Sequence, residues 1–373
     1  MKVALDVSAA PPRLAGAGRY IYELARRLPT AGVATTLVCR RGDARRWSEW
    51  SPEASVAALV PAARAARLVY EAVSLGTSGT ARDVDVWHGP HYTMPHRGRT
   101  PTVVTIHDLT YFTNPEWHEK SKAIFFRRAI SYAASHARVL ICVSDFTARQ
   151  LDQFVPEHAP IVVAPHGVDL VRFTPDGRDD ASLLGAYQLS ATARYVFFVG
   201  TAEPRKGLDV LLAAFGDVAR SDPDVELWLA GQSGWGLKNF GAEIAQHPAA
   251  SRIRRLGFVD DEILPVLLRG SGAVVYPSRG EGFGLPVLEA MACGASVVTS
   301  AKTVMAEIAG GTATLVDAGN ATALAQALSR TLALSDEERA QRSALARARA
   351  QDFTWDNSMA KHLEAYELAA RGD

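Results

Sequence analysis

Short apolar runs alternate with longer stretches of helical period along nearly the whole chain. The first run, Val3 to Val7, predicts a buried strand, and Arg19 to Leu28 follows it at helical spacing. Thr35 to Cys39, Val84 to His88, Thr102 to His107, Val139 to Val143 and Ile161 to Ala164 continue the strand series, each bounded by turn or polar residues. Between Pro175 and Ala193 the pattern changes. Pro175, Asp176, Gly177, Asp179 and Asp180 crowd a stretch with little apolar content at its start, as a domain boundary does. A second series then begins. Tyr195 to Val199, Val225 to Ala230, Arg252 to Leu256, Ala273 to Tyr276 and Ser296 to Thr299 predict strands. Leu208 to Ala219, Pro286 to Ala292, Ala321 to Leu332, Asp336 to Ala350 and Ser358 to Ala370 predict helices, and Ser335 with Glu338 predicts a capping box. Strands alternating with helices imply parallel sheets covered on both faces, here in two α/β halves of similar size.

Composition narrows the function classes. With 373 residues and 48 % hydrophobic content, the chain can build two cores. Lys plus Arg and Asp plus Glu balance at 40 each, which argues against a protein that coats nucleic acid through phosphate neutralisation. Cys39, Cys142 and Cys293 stand far apart in apolar contexts, so buried free thiols in a reducing compartment are expected. No apolar run approaches the ~18 residues of a spanning helix. Asp6 interrupts the first apolar stretch before a signal-peptide core forms. The expected location is cytoplasmic, with peripheral contact at the inner face of the membrane left open.

Open α/β sheets bind ligands at the carboxyl ends of their strands, so the chemistry belongs in the strand-to-helix loops. The stretch from Pro277 to Gly294 follows one strand and enters a helix. Gly280, Gly282 and Gly284 allow a tight turn close to a ligand, and Pro286 suits the first helical turn. Amides around Phe283 to Leu285 lie at a helix start, which is an anion site. Glu281 in the loop and Glu289 in the helix offer acceptors to vicinal hydroxyls. Together they ask for a ligand with phosphate and sugar diols; a plain glycine-rich turn is the other reading these residues allow. In the loop from Val199 to Leu208, Arg205 and Lys206 suit a diphosphate that gains charge as its bond to the sugar breaks. A solvated basic loop is the alternative.

The spacing Glu281-x7-Glu289 in this setting closely resembles the donor-site motif of the retaining glycosyltransferases of family 4, and the likeness covers nearly the whole chain. The resemblance implies the GT-B fold: two Rossmann-like parallel-sheet domains facing a central cleft. The first, 1–175, is the acceptor side and is rejoined by a C-terminal helix, 355–373, after the hinge-like Phe353-Thr354-Trp355. The second, 190–352, binds the nucleotide sugar. The resemblance further implies that Glu281 contacts the transferred sugar and Glu289 the ribose. Lys206 and Arg205 would stabilise the leaving diphosphate, and Gly282, Phe283, Gly284 and Leu285 line the phosphates. Phe258 and Val259 belong beside the base. Gly200 and Thr201 open a Gly-Thr-x-Glu-Pro-Arg-Lys form similar to mannosyltransferase-like members, with Thr201 where the family usually has Arg.

In the first half, Gly16, Ala17 and Gly18 do not make a dinucleotide fingerprint, because the third glycine position is Ile21. They resemble instead the family's glycine loop near the donor diphosphate and the acceptor, with Arg19 as an acceptor contact. His107 ends a strand, where a His serves as a polar contact, a base or a structural hydrogen bonder. The resemblance places it next to the donor sugar. Asp108 is an acceptor-side candidate or a holder of the loop. Asp83-Val84-Asp85 looks like a metal-binding DxD but precedes a strand, and no metal or other cofactor is expected. Lys120 to Arg128 mixes basic and aromatic residues, and reads either as an interfacial membrane helix or as a helix with Phe125 or Phe126 in the core.

The resulting expectation is a retaining hexosyltransferase, with mannose from GDP-mannose as the first choice. Its acceptor is a hydroxyl of a glycan, a lipid-linked molecule or a small molecule, and nucleic acid is not a partner. A UDP-sugar donor, a sugar-nucleotide epimerase or phosphorylase of the same fold, and a silent nucleotide-sugar binder stay open. Acceptor, linkage and oligomeric state are not legible in the chain.

Overall fold

The apolar runs pair as parallel strands in two sheets. The computed structural model describes residues 1–371 apart from 13, 15, 178–179, 233 and 235–238. Ala15 of the glycine-loop stretch and Asp179 of the boundary segment therefore lie outside the described residues. The chain divides into two units, Met1–Gly167 with Trp355–Asp373, and Val168–Thr354.

The first unit holds strands β1 (Lys2–Asp6), β2 (Ala34–Arg40), β3 (Ser55–Val60), β4 (Val86–Gly89), β5 (Thr102–Ile106), β6 (Val139–Cys142) and β7 (Ile161–Val163). Their order in the sheet is β3-β2-β1-β4-β5-β6-β7. Register is set by the buried residues: Leu5 lies opposite Leu37 on one side and His88 on the other. The order reverses direction beside β1 and β4, so the loops after these strands part there and leave a crevice at their carboxyl ends. The core on one face gathers Leu5, Tyr20, Trp47, Trp355 and Tyr366. The last helix, Trp355–Arg371, is thus part of this unit's interior.

The second unit holds β8 (Arg194–Val199), β9 (Val225–Ala230), β10 (Ile253–Gly257), β11 (Ala273–Tyr276), β12 (Val297–Ser300) and β13 (Thr314–Val316), in the order β10-β9-β8-β11-β12-β13. Here the reversal falls between β8 and β11. Trp228 stacks on Tyr195 with ring centroids 3.7 Å apart, joining β9 to β8. Ser335 and Glu338 form the reciprocal capping box ahead of helix Asp336–Ala350.

Several elements depart from the sequence reading, helices Ala44–Trp50, Asp145–Phe154 and Ile263–Arg269 among them. Strand β3 and helix Arg64–Val73 were not foreseen in the Ala-rich stretch that holds them. Helix Asp180–Ala186 lies inside the segment read as a boundary; it is held by an ion pair of Asp180 with Arg269 and by burial of Leu184. Residues 168–175 pack with the second unit rather than the first. Val168 N–H donates to Phe353 O at 2.9 Å, and Arg172 Nη2 donates to Asp261 O at 2.6 Å.

The Asp85 carboxylate accepts the backbone N–H of Lys2 at 2.8 Å and ties the β4 approach to β1. In helix Lys120–His136, Phe126 is buried against the core while Ile124 is exposed. Among the described residues no helix is long and apolar enough to cross a membrane.

Candidate functional site

The loops after β8 and β11 flank the reversal in the second sheet, and they carry the two motifs. The first runs through Gly200 and Thr201 to a short turn, Pro204–Lys206, and ends at Gly207. Gly207 takes φ 70°, and a Cβ there would strike the carbonyl of Pro277. Only glycine lets the basic turn lie this close to the strand end. Arg279 N–H donates to Arg205 O at 2.7 Å and Ser278 Oγ to the same oxygen at 3.1 Å, so the two loops are stitched together.

That stitching brings Arg205, Lys206 and Glu281 to one point, with Glu203 beside Arg205. Glu281 Oε2 lies 2.6 Å from Arg205 Nη1, and Glu281 Oε1 is in contact with Lys206 Nζ. Ser278 Oγ donates to Glu281 Oε1 at 2.9 Å and Tyr276 Oη to the same oxygen at 3.2 Å. Lys206 Nζ donates in turn to Tyr276 Oη at 2.5 Å. Lys206 is buried, with 7 % of its surface exposed. Burial would raise the pKa of the Glu281 carboxyl, but Arg205 and Lys206 hold it at about 2. Burial, then Arg205, push the Lys206 ammonium down, and Glu281 opposes them. Arg205 Nε also pairs with Glu203 Oε2 at 2.9 Å, so the group carries two cations and two anions in a mostly dry setting, where charge interactions are strong.

The rest of the second loop leads into helix Leu285–Ala292. Gly284 caps it with φ 112°, and a Cβ there would come within 2.6 Å of Met305 Sδ. Gly282 and Phe283 are buried, with Phe283 edge-on to Phe353. Leu285 opens the helix, and Glu289 sits half-buried in its second turn. Phe258 and Val259 follow β10 on the same carboxyl edge; Phe258 is 41 % exposed while Val259 is buried. Gly200 N–H closes on Ala230 O at 3.0 Å, and Thr201 is half-buried beside it. Arg205, not position 201, supplies the guanidinium that reaches Glu281.

In the first unit, the loop after β1 ends at Gly16, which precedes helix Ala17–Thr30 with φ 50°. Ala17 is its first residue, and Gly18 is buried against Pro11. Arg19 extends over the ring of Tyr22, its Cζ 5.7 Å from the centroid. His107 follows β5 and is buried. Its Nε2 lies 2.8 Å from Pro90 O, a carbonyl that only accepts, so Nε2 carries the hydrogen. Burial lowers its pKa, so the ring is neutral and Nδ1 holds a lone pair. This His can accept a hydrogen from a hydroxyl. Asp108 turns into its own loop: Oδ1 accepts from Thr110 N at 3.0 Å and from Thr110 Oγ1 at 2.5 Å. Of the two readings of Asp108, the loop holder is the one these bonds describe.

Sequence reasoning passed over Tyr276 and Ser278 as Glu281 partners, although both are neighbours of the motif; nothing in the spacing says which way a hydroxyl turns. Among the described residues no group of three or more His, Cys, Asp or Glu side chains is arranged to hold a metal ion.

Comparison with known proteins agrees with this architecture. Residues 14–172 match the family described as Glycosyltransferase Family 4, and residues 184–349 match Glycosyl transferases group 1. The chain is 32 % identical over 285 residues to O-antigen chain mannosyltransferase B of Escherichia coli, covering 76 % of this chain and 74 % of that protein. It is also 32 % identical over 286 residues to D-inositol 3-phosphate glycosyltransferase of Actinosynnema mirum, covering 73 % and 68 %. The solved structure of sucrose-phosphate synthase from Thermosynechococcus elongatus superposes with a TM-score of 0.81 at 21 % identity, over 100 % of both chains, and so shares the fold. With two parallel-sheet α/β units and these matches, the chain belongs to glycosyltransferase family 4, and it is a glycosyltransferase of the GT-B fold.

Proposed function

We propose that the protein is a retaining, nucleotide-sugar-dependent hexosyltransferase that moves mannose from GDP-mannose to a hydroxyl of a glycan, a lipid-linked acceptor or a small molecule. The observation that carries this reading is the Arg205–Lys206–Glu281 group on the two loops that flank the strand-order reversal. Two cations from adjacent positions suit the two phosphates of a nucleoside diphosphate. Fixed in place, they stabilise the charge that develops on the leaving group with no reorganisation during the reaction. Glu281 takes the hydroxyls of the sugar, and Glu289, one helix further, those of the ribose. Phe258 and Val259 sit beside the base. The similarity to a mannosyltransferase over three quarters of the chain supports mannose.

In the proposed step, the bond from the anomeric carbon to the diphosphate breaks while a bond to the acceptor oxygen forms on the same face. The acceptor's proton passes to a diphosphate oxygen, so no side-chain base is needed. His107, neutral with its lone pair on Nδ1, accepts a hydrogen from a donor-sugar hydroxyl. The Gly16 to Gly18 loop and Arg19 serve the diphosphate and the acceptor. Arg205 and Lys206 take the place of a divalent ion, so transfer should proceed in excess chelator.

Thermal melting with GDP, UDP and ADP tests the reading. A ligand at ~100 times its dissociation constant adds about 2.7 kcal/mol to the unit that binds it. GDP alone should raise the melting point of the second unit by roughly 5 °C. Selective stabilisation by UDP would replace the donor but keep the chemistry; no response to any of the three would sink the transferase assignment of this site. The anomeric configuration of the product, read by NMR, tests retention.

A further inference from the structure

Behind His107, in the first unit, lies a run of buried polar side chains that the reaction does not touch. Tyr20 comes from helix Ala17–Thr30, His88 from β4, Thr105 from β5, and His362 and Tyr366 from the last helix. All five are buried. His362 Nδ1 lies 2.7 Å from Ser358 O, and His362 Nε2 lies 2.7 Å from Tyr20 Oη. Tyr20 Oη is 2.7 Å from Thr105 Oγ1, which is 2.8 Å from His88 Nε2. His88 Nδ1 is 2.7 Å from Tyr366 Oη.

The direction of every bond follows from one end. Ser358 O only accepts, so His362 Nδ1 carries the hydrogen. Burial holds the His362 pKa down at about 4, so the ring is neutral and Nε2 accepts from Tyr20. Tyr20 oxygen then accepts from Thr105, and Thr105 oxygen accepts from His88 Nε2–H. His88 is neutral for the same reason of burial, so its Nδ1 accepts from Tyr366 O–H. One arrangement of hydrogens satisfies the chain from Tyr366 to Ser358, and a flip of His88, Thr105, Tyr20 or His362 breaks two bonds. Fully satisfied buried networks of this kind rigidify their members.

Tyr20 is the member that reaches the candidate site. Its ring stands edge-on to His107, with centroids 5.1 Å apart and planes at 85°. Pro90 O fixes one nitrogen of His107, and the rings of His91, Tyr92 and His166 stand around it with centroids 5.6, 5.5 and 5.8 Å away. The Tyr20 ring makes the nearest of these contacts, at 5.1 Å, and its hydroxyl is pinned by both Thr105 and His362. We propose that Tyr20 is a positioning residue for His107, locked in place by a hydrogen-bond chain that begins in the C-terminal helix. The proposal rests on the reading above that His107 meets the donor sugar. The sequence separation explains why no local pattern announces it: Tyr20 and His362 are 342 positions apart.

The test needs no acceptor. The ratio of GDP to GDP-mannose dissociation constants, measured by calorimetry, reports how much the sugar adds to binding. It is measured for wild type, Tyr20→Phe, His107→Ala and the double variant. His107→Ala should lower the sugar's contribution about tenfold, the worth of one buried hydrogen bond. Tyr20→Phe should lower it roughly threefold in the wild-type background and leave it unchanged beside His107→Ala. Melting points, by contrast, should fall by the same amount in both backgrounds. An equal effect of Tyr20→Phe on the ratio in both backgrounds, or none in either, overturns the positioning role. A ratio untouched by His107→Ala overturns the sugar contact itself and the inference with it. If Tyr20→Phe does not fold, Thr105→Val breaks the neighbouring link and is read in the same way.

Discussion

Acidification from pH 7.5 to 5.5 is expected to destabilise the first unit by about 2–3 kcal/mol. His88, His166 and His362 are buried there, and burial above all holds their pKa values below the usual 6.5, to about 4 for His362. Unfolded, each ring takes a proton as the pH falls through 6.5; folded, it stays neutral. The stability they contribute is therefore complete above that value and is lost below it, down to the depressed folded pKa. Over this interval each ring costs about 1.4 kcal/mol, so the three cost about 4 together. Glu71 works the other way. Burial first, then Asp6, push its pKa from 4.5 up to about 7, so the folded unit binds this proton early and gains about 2 kcal/mol as the pH falls. Asp6, also raised by burial, acts with Glu71; His107 and His91, both lowered, act with the histidines. The histidines outweigh the carboxylates.

Urea unfolding, followed by tryptophan fluorescence after Trp228 and Trp235 of the second unit are replaced by Phe, reads the first unit, because Trp47, Trp87 and Trp355 are buried there. At a denaturant slope of about 2 kcal/mol per molar, the midpoint should fall by about 1 M between pH 7.5 and 5.5. His362→Gln should remove about half of that fall, since one ring's share of about 1.4 kcal/mol in the net change is gone. A midpoint that holds constant or rises at pH 5.5 would refute the reasoning, because the buried acids would then govern the unit.

Two further outcomes concern the second unit. Glu281→Gln removes the anion shared by Arg205 and Lys206 and leaves Arg205 paired only with Glu203, so GDP alone should bind several-fold tighter while transfer falls by roughly a hundredfold or more. Calorimetry with GDP beside a turnover assay checks both, and weaker GDP binding would contradict the geometry. Gly207→Ala forces a Cβ toward the Pro277 carbonyl at φ 70° and should cost the second unit about 2–3 kcal/mol, seen as a lower melting transition with the first unit's unchanged.

Much of the candidate site in the second unit was legible because its signals are local. Glycines, a proline and two glutamates on one strand-turn-helix specify where a backbone turns and where acceptors stand. Arg205 and Lys206 are neighbours in the chain, so their shared loop needed no tertiary information. The same holds for the Ser335–Glu338 capping box, which closes within one helical turn. Strand β3 and helix Arg64–Val73 escaped because an Ala-rich stretch gives little contrast between faces. Helix Asp180–Ala186 escaped because its polar start is stabilised from outside, by Arg269.

The sequence by itself determined two parallel-sheet α/β halves and the motif loops at their strand ends, since hydrophobic period, turn residues and short-range spacing are properties of neighbours along the chain. Only the tertiary structure decided which unit residues 168–175 join, that Glu281 bridges Arg205 and Lys206 with Tyr276 and Ser278 beside it, and which nitrogen of His107 holds the hydrogen. It alone joined Tyr20 to His362. These are choices of partner, made when burial leaves each polar group no water to turn to and a single arrangement satisfies them all.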